Sequence, residues 1–381
     1  MKYDVVIIGA GPSGVAAAHN FINNGVSCIL IDKQKFPRNK LCAGGVTSKA
    51  FELIKSLKID EVDDENVVIS EGASLYLEYE HIADIKSKGL TYLVDRFEFD
   101  NYLVNQYKKK GGSLLEGKKV VSIDTDNNVI VLDDNELIEF KYIIGADGAV
   151  GITKGLVKDN VKANGFCLQI EVDRDKFNYN SNNMSLYYGV IYQGYGWIFP
   201  KKETLTVGFG GSYNKDINYH SEFEKFLKKL GIDYDRNDFR GAMLPFGEYV
   251  KNPINKNKNL LLVGDAAGLV DPITGEGIYF AILSGIKSSN IIMKALNENN
   301  KNEVDKYVEE ISGIMRNIEK GAKLKKLIYK YKKPIFNAMK NKKVGNFLFN
   351  ECLYDSNYDL LKLLFNKNKV NWVYQNILNL D

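Results

Sequence analysis

The chain of 381 residues is long enough for two domains, and its 45% hydrophobic and 26% charged residues are typical of a globular protein and not of a disordered one. The formal net charge of +3 is too small to indicate a nucleic-acid-binding protein, which normally carries a strongly basic surface. Three histidines without metal-ligand spacing and four scattered cysteines argue against a metal site, a disulfide framework and an iron–sulfur cluster. We therefore expect a reduced, cytoplasmic protein that binds neither nucleic acid nor metal.

The chain begins with a pattern typical of a βαβ unit. Apolar runs at 3–8 and 27–31 predict two strands, and the residues from 14 to 23 predict a helix between them. Further strands are predicted within 73–94 and at 118–124, 128–132, 140–144, 166–172, 185–188, 196–200, 205–210 and 260–263. Helices are predicted at about 46–57, 95–110 and 277–296, and over most of 303–380.

These elements favour an α/β fold that contains two kinds of sheet. We predict a Rossmann-like domain for a dinucleotide, an inserted antiparallel β-sheet domain for the substrate and a helical C-terminal tail. The predicted boundaries are 1–72, 96–163 and 256–300 for the dinucleotide domain, 73–95 and 164–255 for the substrate domain, and 301–381 for the helical region.

A G-x-G-x-x-G motif formed by Gly9, Gly11 and Gly14 lies between the first strand and the first helix. The first glycine permits a tight turn, the second lets the backbone approach a pyrophosphate, and the third lets the helix pack closely on the strand. The helix N-terminus then presents free N–H groups to the phosphates. Asp32 ends the second strand, where an acid accepts hydrogen bonds from a ribose. This context predicts a dinucleotide site.

A second glycine-rich segment favours FAD over NAD. Asp265 lies within residues 264–268, and residues 275–278 precede the next predicted helix. A long ribityl chain needs a second anchor, which the Asp265 carboxylate provides, and backbone N–H groups at Gly277 and Ile278 stabilise negative charge on a reduced flavin. A plain turn with a capping aspartate is the simpler alternative when this segment is considered alone.

Five segments together resemble the geranylgeranyl reductase family, flavoproteins of the p-hydroxybenzoate hydroxylase-like FAD fold. They are 9–14, 37–45, 95–100, 195–200 with 208–210, and 264–278, and they extend over about the first 280 residues. Ala43 departs from a glycine that is frequent in the family, so this loop is expected to be less free in its backbone angles. The resemblance implies that FAD is bound and that reduced flavin saturates isolated double bonds of a prenyl chain or another long apolar substrate.

The resemblance also implies roles for individual residues. The cofactor contacts already named are Gly9, Gly11, Gly14, Asp32, Asp265, Gly277 and Ile278. The resemblance implies further cofactor contacts at Ser13, Lys33, Arg38, Cys42, Ala43, Gly44, Gly45, Arg96, Val120 and Gly275. It implies substrate contacts at Tyr195, Trp197, Phe199 and Pro200. Because Tyr195, Trp197 and Phe199 alternate, they share one face of a strand, which either lines a tunnel for an apolar ligand or is an ordinary aromatic core face.

Cys42 is the catalytic candidate, because the resemblance places its loop beside the flavin ring. It either tunes or gates the site, donates a proton, or is only a small residue that fits a tight loop. Water and a tyrosine are the other candidates for the proton. Arg96 either supports the cofactor or is a surface arginine paired with an aspartate.

Several properties of the protein stay open at this level. The electron donor implied by the resemblance is NADPH or a ferredoxin-type protein. Seven lysines between 320 and 333 favour a solvated helix face, with peripheral docking on the inner face of the membrane as the alternative. A flavin monooxygenase of the same fold, or a prenyl-binding protein without enzymatic activity, are the alternative functions.

Overall fold

The computed structural model describes residues 1–60, 67–177 and 179–359. The strands are β1 (Lys2–Ile8), β2 (Cys28–Asp32), β3 (Gly45–Thr47), β4 (Val68–Leu77), β5 (Glu80–Leu93), β6 (Ser113–Glu116), β7 (Val120–Asp124), β8 (Val129–Leu132), β9 (Leu137–Gly145), β10 (Gly165–Asp173), β11 (Met184–Ile191), β12 (Gly194–Pro200), β13 (Thr204–Ser212), β14 (Arg240–Leu244) and β15 (Leu260–Leu262). The helices are α1 (Pro12–Asn23), α2 (Ser48–Ser56), α3 (Arg96–Lys109), α4 (Arg174–Phe177), α5 (Tyr219–Leu230), α6 (Ile278–Asn297), α7 (Lys306–Glu310), α8 (Ser312–Lys330), α9 (Lys332–Met339) and α10 (Lys342–Phe347).

The first sheet is parallel around β1. Strand β1 lies between β2 and β9, β6 extends the sheet beyond β2, and β15 pairs with the end of β9. The hairpin β7–β8 continues from β9 in antiparallel pairing. All five residues of β2 are buried, as expected for a parallel sheet that is covered on both faces. This arrangement brings the carboxyl ends of β1, β9 and β15 together.

Helices α1 and α6 pack against each other closely. Pro12 begins α1, where its missing N–H leaves no intrahelical hydrogen bond unmade. A Cβ atom on Gly285 of α6 would lie 2.3 Å from the Ser13 carbonyl oxygen, so only glycine permits this approach. The contact places the N-terminal end of α1 beside α6.

The second sheet has the order β14-β10-β13-β12-β11-β4-β5-β3 and is antiparallel except for the pair β11–β4. Helix α5 packs on one face, where Phe223 and Phe226 join the core with Phe209 of β13. Residues of α8, α9 and α10 pack on the other core cluster of this sheet. The cavity described below is lined from this second side.

The predicted fold class is confirmed: a Rossmann-like sheet, a largely antiparallel second sheet and a helical C-terminal region are present. The domain boundaries stay a prediction; β3 and all of β4 pair within the second sheet, although the predicted boundaries assign residues 45–47 and 68–72 to the dinucleotide domain. Residues 360–381 of the predicted helical tail lie outside the described residues. No helix in the described ranges is long and apolar enough to cross a bilayer.

Candidate active site

A cavity of about 360 Å³ lies where the two sheets meet. Its wall combines the turn after β1, the loop at 40–45, the inner face of β12 and the loop that precedes α6. The π-helical segment Leu348–Tyr354 contributes Phe349, Leu353 and Tyr354 to the same wall. The cavity therefore joins the two glycine motifs to the aromatic strand that the sequence singled out.

The three glycines of the first motif differ in what surrounds them. Gly9 has a φ of +105°, and a Cβ atom there would lie 2.3 Å from the Ala146 carbonyl oxygen. A Cβ atom on Gly14 would lie 1.9 Å from the Gly9 carbonyl oxygen. A Cβ atom on Gly11 would meet only Arg38 Nη2, at 3.9 Å. Gly9 and Gly14 thus shape the turn, whereas Gly11 leaves the backbone open to the cavity, where a pyrophosphate fits.

Asp32 and Arg38 are buried next to this turn. Asp32 Oδ2 accepts a hydrogen bond from the backbone N–H of Ala10 at 2.9 Å, and Arg38 Nε lies 3.5 Å from the same oxygen. Arg38 Nη1 also lies 3.3 Å from Asp100 Oδ2. Within the described part of the chain, Arg38 Nε has no hydrogen-bond partner. A buried cation with an unused N–H beside an open glycine turn fits the pyrophosphate and ribose of FAD.

Arg96 is buried and is not a surface arginine. Its Nε and Nη2 atoms donate to the two carboxylate oxygens of Asp100 at 2.7 and 2.8 Å. The pair is bidentate, which fixes the guanidinium geometrically as well as electrostatically. Arg96 and Cys42 both line the cavity. The network from Asp32 through Arg38 and Asp100 to Arg96 therefore connects the dinucleotide turn to the cysteine loop.

The cysteine loop is held in place by two residues that the sequence analysis did not identify. Lys201 Nζ donates a hydrogen bond to the Ala43 carbonyl oxygen at 2.6 Å, and Gln169 Nε2 donates to the Cys42 carbonyl oxygen at 3.4 Å. Gly44 has a φ of +81°, and its N–H donates to Cys42 Sγ at 3.4 Å. No sequence pattern indicated Lys201 or Gln169, because both reach the loop across the fold.

The second glycine loop is anchored by the fully buried Asp271. Its Oδ1 atom accepts hydrogen bonds from the backbone N–H groups of Ile273 and Thr274 at 2.8 and 2.9 Å. Its Oδ2 atom accepts from Ser356 Oγ at 3.2 Å and from the Tyr358 hydroxyl at 2.5 Å. The C-terminal region, which no sequence motif covered, thus holds the loop that carries Gly275 and Gly277.

Tyr195 links the aromatic strand to the same loop. Its hydroxyl donates to the Thr274 carbonyl oxygen at 2.5 Å, and a Cβ atom on Gly275, which has a φ of +72°, would lie 3.0 Å from that hydroxyl. Tyr195, Trp197 and Phe199 all line the cavity. The shared face of these three residues is therefore a cavity wall as well as part of a core cluster.

The other predicted site residues are distributed as follows. Ser13, Ala43, Gly44, Gly45, Asp265, Gly275, Gly277 and Ile278 line the cavity. Pro200 is buried and, since side chains alternate along β12, it faces away from the wall that Phe199 forms, and its substrate contact stays a prediction. Val120 is buried in β7 and Lys33 is exposed after β2, and both lie outside the cavity wall.

Most of the lysine cluster in the tail is engaged within the chain. Lys320 and Lys323 form ion pairs with Asp359 and Glu319, and Lys332 pairs with Glu78. Lys325 is also buried: its Nζ lies 3.9 Å from the centre of the Phe246 ring, and burial lowers its pKa to about 8. The described residues contain no cluster of three or more His, Cys, Asp or Glu side chains suited to a metal ion.

Comparisons with known proteins agree with this geometry. Residues 2–180 match the FAD binding domain family. The chain is 32% identical over 319 residues, 79% of either chain, to a digeranylgeranylglycerophospholipid reductase of Methanocaldococcus jannaschii. It is 26% identical over 317 residues, 78% of this chain and 76% of the relative, to a geranylgeranyl diphosphate reductase of Rhodobacter capsulatus.

The fold has a close counterpart among solved structures. A geranylgeranyl bacteriochlorophyll reductase-like protein from Thermoplasma acidophilum superimposes with a TM-score of 0.75 at 23% identity, and the match covers 96% of this chain and 99% of that one. The predicted cofactor and the predicted family are thereby confirmed. The chain belongs to the geranylgeranyl reductase family and is an FAD-dependent oxidoreductase.

Proposed function

We propose that this protein saturates carbon–carbon double bonds in the prenyl chains of an isoprenoid lipid. The observation that carries the proposal is that the open turn at Gly11 and the aromatic residues Tyr195, Trp197 and Phe199 line one and the same cavity. The turn at Gly11 suits a dinucleotide, and the aromatic wall suits a long apolar chain. The names of the two relatives, a digeranylgeranylglycerophospholipid reductase and a geranylgeranyl diphosphate reductase, support this substrate class.

The chemistry requires one hydride and one proton for each double bond. Reduced FAD supplies the hydride when it is bound. The protein itself orients the substrate and excludes water from the site. Trp197 is buried against the backbone of Gly208 and Gly210, so the wall behind the substrate is rigid and apolar. Arg38 and Asp32 would hold the dinucleotide half of the cofactor at the turn after β1.

Cys42 is proposed to tune or gate the site. Its loop is fixed by Lys201 and Gln169 and lies in the cavity wall together with Arg96. A small side chain at this position limits how closely a prenyl chain approaches the loop, so its size affects which double bonds are reached. Replacement by alanine is expected to change the distribution of partly reduced products without loss of FAD.

The electron donor is proposed to be NADPH or a ferredoxin-type protein. Reduction of the bound flavin by each donor, followed by its absorbance under anaerobic conditions, distinguishes the two. Peripheral membrane contact belongs to the same proposal, because prenyl lipids reside in membranes. Flotation of the protein with neutral and with anionic vesicles tests this membrane contact. If the protein floats with neither kind of vesicle, the contact is contradicted.

The decisive experiment is an anaerobic single turnover. The purified flavoprotein is reduced chemically and then mixed with prenyl glycerophospholipid or geranylgeranyl diphosphate. We expect the flavin to reoxidise and the lipid to gain two hydrogens for each bond, as measured by mass spectrometry. If the flavin reoxidises only after oxygen is admitted, and the lipid is then hydroxylated, the result would instead support a monooxygenase. Binding of the lipid by a protein without flavin would support a prenyl-binding protein that is not an enzyme.

A further inference from the structure

The source of the proton is a separate question that rests on the proposed function. An isolated alkene has no carbonyl group to accept negative charge, so hydride transfer must be accompanied by protonation of the second carbon. Among the described residues of the cavity wall, the carboxylic acids are Asp265 and Glu276. Asp265 already has a role as the expected anchor of the ribityl hydroxyls. Glu276 has no role in the site as described so far.

Glu276 lies where the second glycine loop meets the aromatic wall. Its neighbours Gly275 and Gly277 are lining residues of the dinucleotide side. The loop is attached to β12 through the Tyr195 hydroxyl, which donates to the Thr274 carbonyl oxygen two residues before Glu276. Glu276 is therefore part of the loop that is expected to hold the cofactor, and it lies near Tyr195 of the aromatic wall.

The surroundings of Glu276 favour its neutral form. Burial raises the pKa of Glu276, and the charge of Asp271 raises it further. The hydrogen bond from the Tyr279 N–H and the charge of Lys49 act in the opposite direction. Tyr195 and Tyr354 also lie close enough to Glu276 to feel its charge. An acid whose pKa moves upward from the usual range of carboxyls towards neutrality is suited to proton donation.

Three other proton-bearing groups in the cavity wall, on Cys167, Tyr188 and Tyr195, are weaker donors. Burial raises the pKa of Cys167 to about 12 and the pKa of Tyr188 above its ordinary value. Burial likewise raises the pKa of Tyr195, whose proton is also engaged with the Thr274 carbonyl oxygen. These groups hold their protons more tightly than a carboxylic acid does.

We propose that the carboxyl group of Glu276 donates the proton that completes reduction of the substrate double bond. In this step the π bond breaks and two C–H bonds form. One carbon receives the hydride, with its two electrons, that the reduced cofactor supplies under the proposed function. The other carbon receives the Glu276 proton, and the carboxylate that is left takes a proton back from water.

A purely structural role for Glu276 makes different predictions. Its Oε1 atom accepts a hydrogen bond from the Tyr279 N–H at 3.2 Å, as a capping carboxylate at the start of α6 would. Glu276→Gln keeps this acceptor and the volume of the side chain but cannot donate the same proton. Glu298→Gln, at an exposed position beyond the end of α6, is the matched control.

The experiment measures lipid-dependent flavin reoxidation in anaerobic single turnovers. We expect Glu276→Gln to bind FAD normally and to reoxidise about 100- to 10,000-fold more slowly, while Glu298→Gln matches the wild type. Wild-type rates are expected to fall as the pH rises through the pKa of Glu276. Lys49→Met removes a cation that favours the carboxylate, so it is expected to move this fall to higher pH.

A second measurement is independent of turnover. Infrared titration of the protein without cofactor is expected to show a carboxyl group that deprotonates above the ordinary 4.5 of glutamate and is missing in Glu276→Gln. Equal reoxidation rates in Glu276→Gln and wild type would overturn the inference, and loss of the proton step only in Cys42→Ser would assign it to the thiol. If wild-type protein is not reoxidised by any prenyl lipid, the proposed function itself is wrong.

Discussion

The Nζ atom of Lys201 lies 2.6 Å from the carbonyl oxygen of Ala43, so a buried cation supports the loop that carries Cys42. Only 8% of Lys201 is exposed to solvent. Burial lowers its pKa to about 8, against the opposing charges of Glu171, Cys42 and Asp95, which raise it. The loop thus depends on an ammonium group that the fold itself disfavours.

Replacement of Lys201 by methionine is expected to change how stability depends on pH. The unfolded lysine takes up its proton near 10.5 and the folded one near 8, so the wild type loses stability as the pH falls through this interval. The loss is about 3 kcal/mol below pH 8. Lys201→Met has no amine at this position, so its own stability does not change in this way. The free energy of unfolding of the variant minus that of the wild type should therefore be lower at alkaline pH than at pH 7. Urea unfolding of both proteins measures this, and a constant difference would contradict the expected titration.

Gly11→Val is expected to fold but to lose FAD. The new side chain meets little protein, since Arg38 Nη2 at 3.9 Å is the neighbour of a Cβ atom there, but it occupies the space that the pyrophosphate needs. The flavin-to-protein absorbance ratio after purification measures the loss. Gly313→Val is the control, because that glycine is exposed on α8 and a Cβ atom there has open space around it. Full flavin occupancy in Gly11→Val would contradict our placement of the cofactor.

Trp197→Ala and Ile198→Ala separate the two faces of β12. Both residues are buried, and their truncation is expected to cost about 2–5 kcal/mol of unfolding free energy. Trp197 lines the cavity, whereas Ile198 packs with the core under α5. Trp197→Ala should therefore also slow lipid-dependent flavin reoxidation by about 10- to 100-fold with FAD still bound. If both variants keep normal reoxidation rates, the aromatic face is only a core face.

Tyr358→Phe tests whether the C-terminal region supports the active site. Loss of its hydrogen bond to the Asp271 carboxylate should cost about 1.5–3 kcal/mol, because one partner is charged. The second glycine loop should loosen as well, which would weaken FAD retention. Tyr307→Phe is the matched control, since its buried hydroxyl donates to the Leu262 carbonyl oxygen in the first sheet. Equal FAD affinity in the two variants would show that the hydrogen bond between Tyr358 and Asp271 contributes to stability alone.

The features that could be predicted from the sequence are local ones. The turn with Gly9, Gly11 and Gly14 needs only neighbouring residues, and its strand–turn–helix context was readable directly. The alternation of Tyr195 and Trp197 likewise predicted a shared face. Together with the order of predicted strands and helices, the segment 264–278 and the family resemblance, these patterns predicted the fold class and the cofactor.

The features that could not be predicted depend on distant partners. Residues 46 and 47 were expected to begin a helix, but residues 45–47 pair with Thr91–Leu93 as β3, because tertiary pairing overrides a short ambiguous pattern. Asp271 and Tyr358 are separated by more than eighty positions, and no spacing rule relates them. Strands β6 and β14 and helix α5 were likewise missed. Pro200 was expected to contact the substrate together with Phe199, but a one-residue step turns its side chain to the other face of β12, so that contact stays a prediction.

The hydrogen bonds of Asp271 have a consequence for biosynthesis. The open turn at Gly11 leaves the ribosome early, but two of the hydrogen bonds that hold the loop before α6 form only after Ser356 and Tyr358 have been synthesised. We therefore expect a nascent chain to hold the coenzyme firmly only after residue 358 has left the ribosome, long after the Gly11 turn has formed.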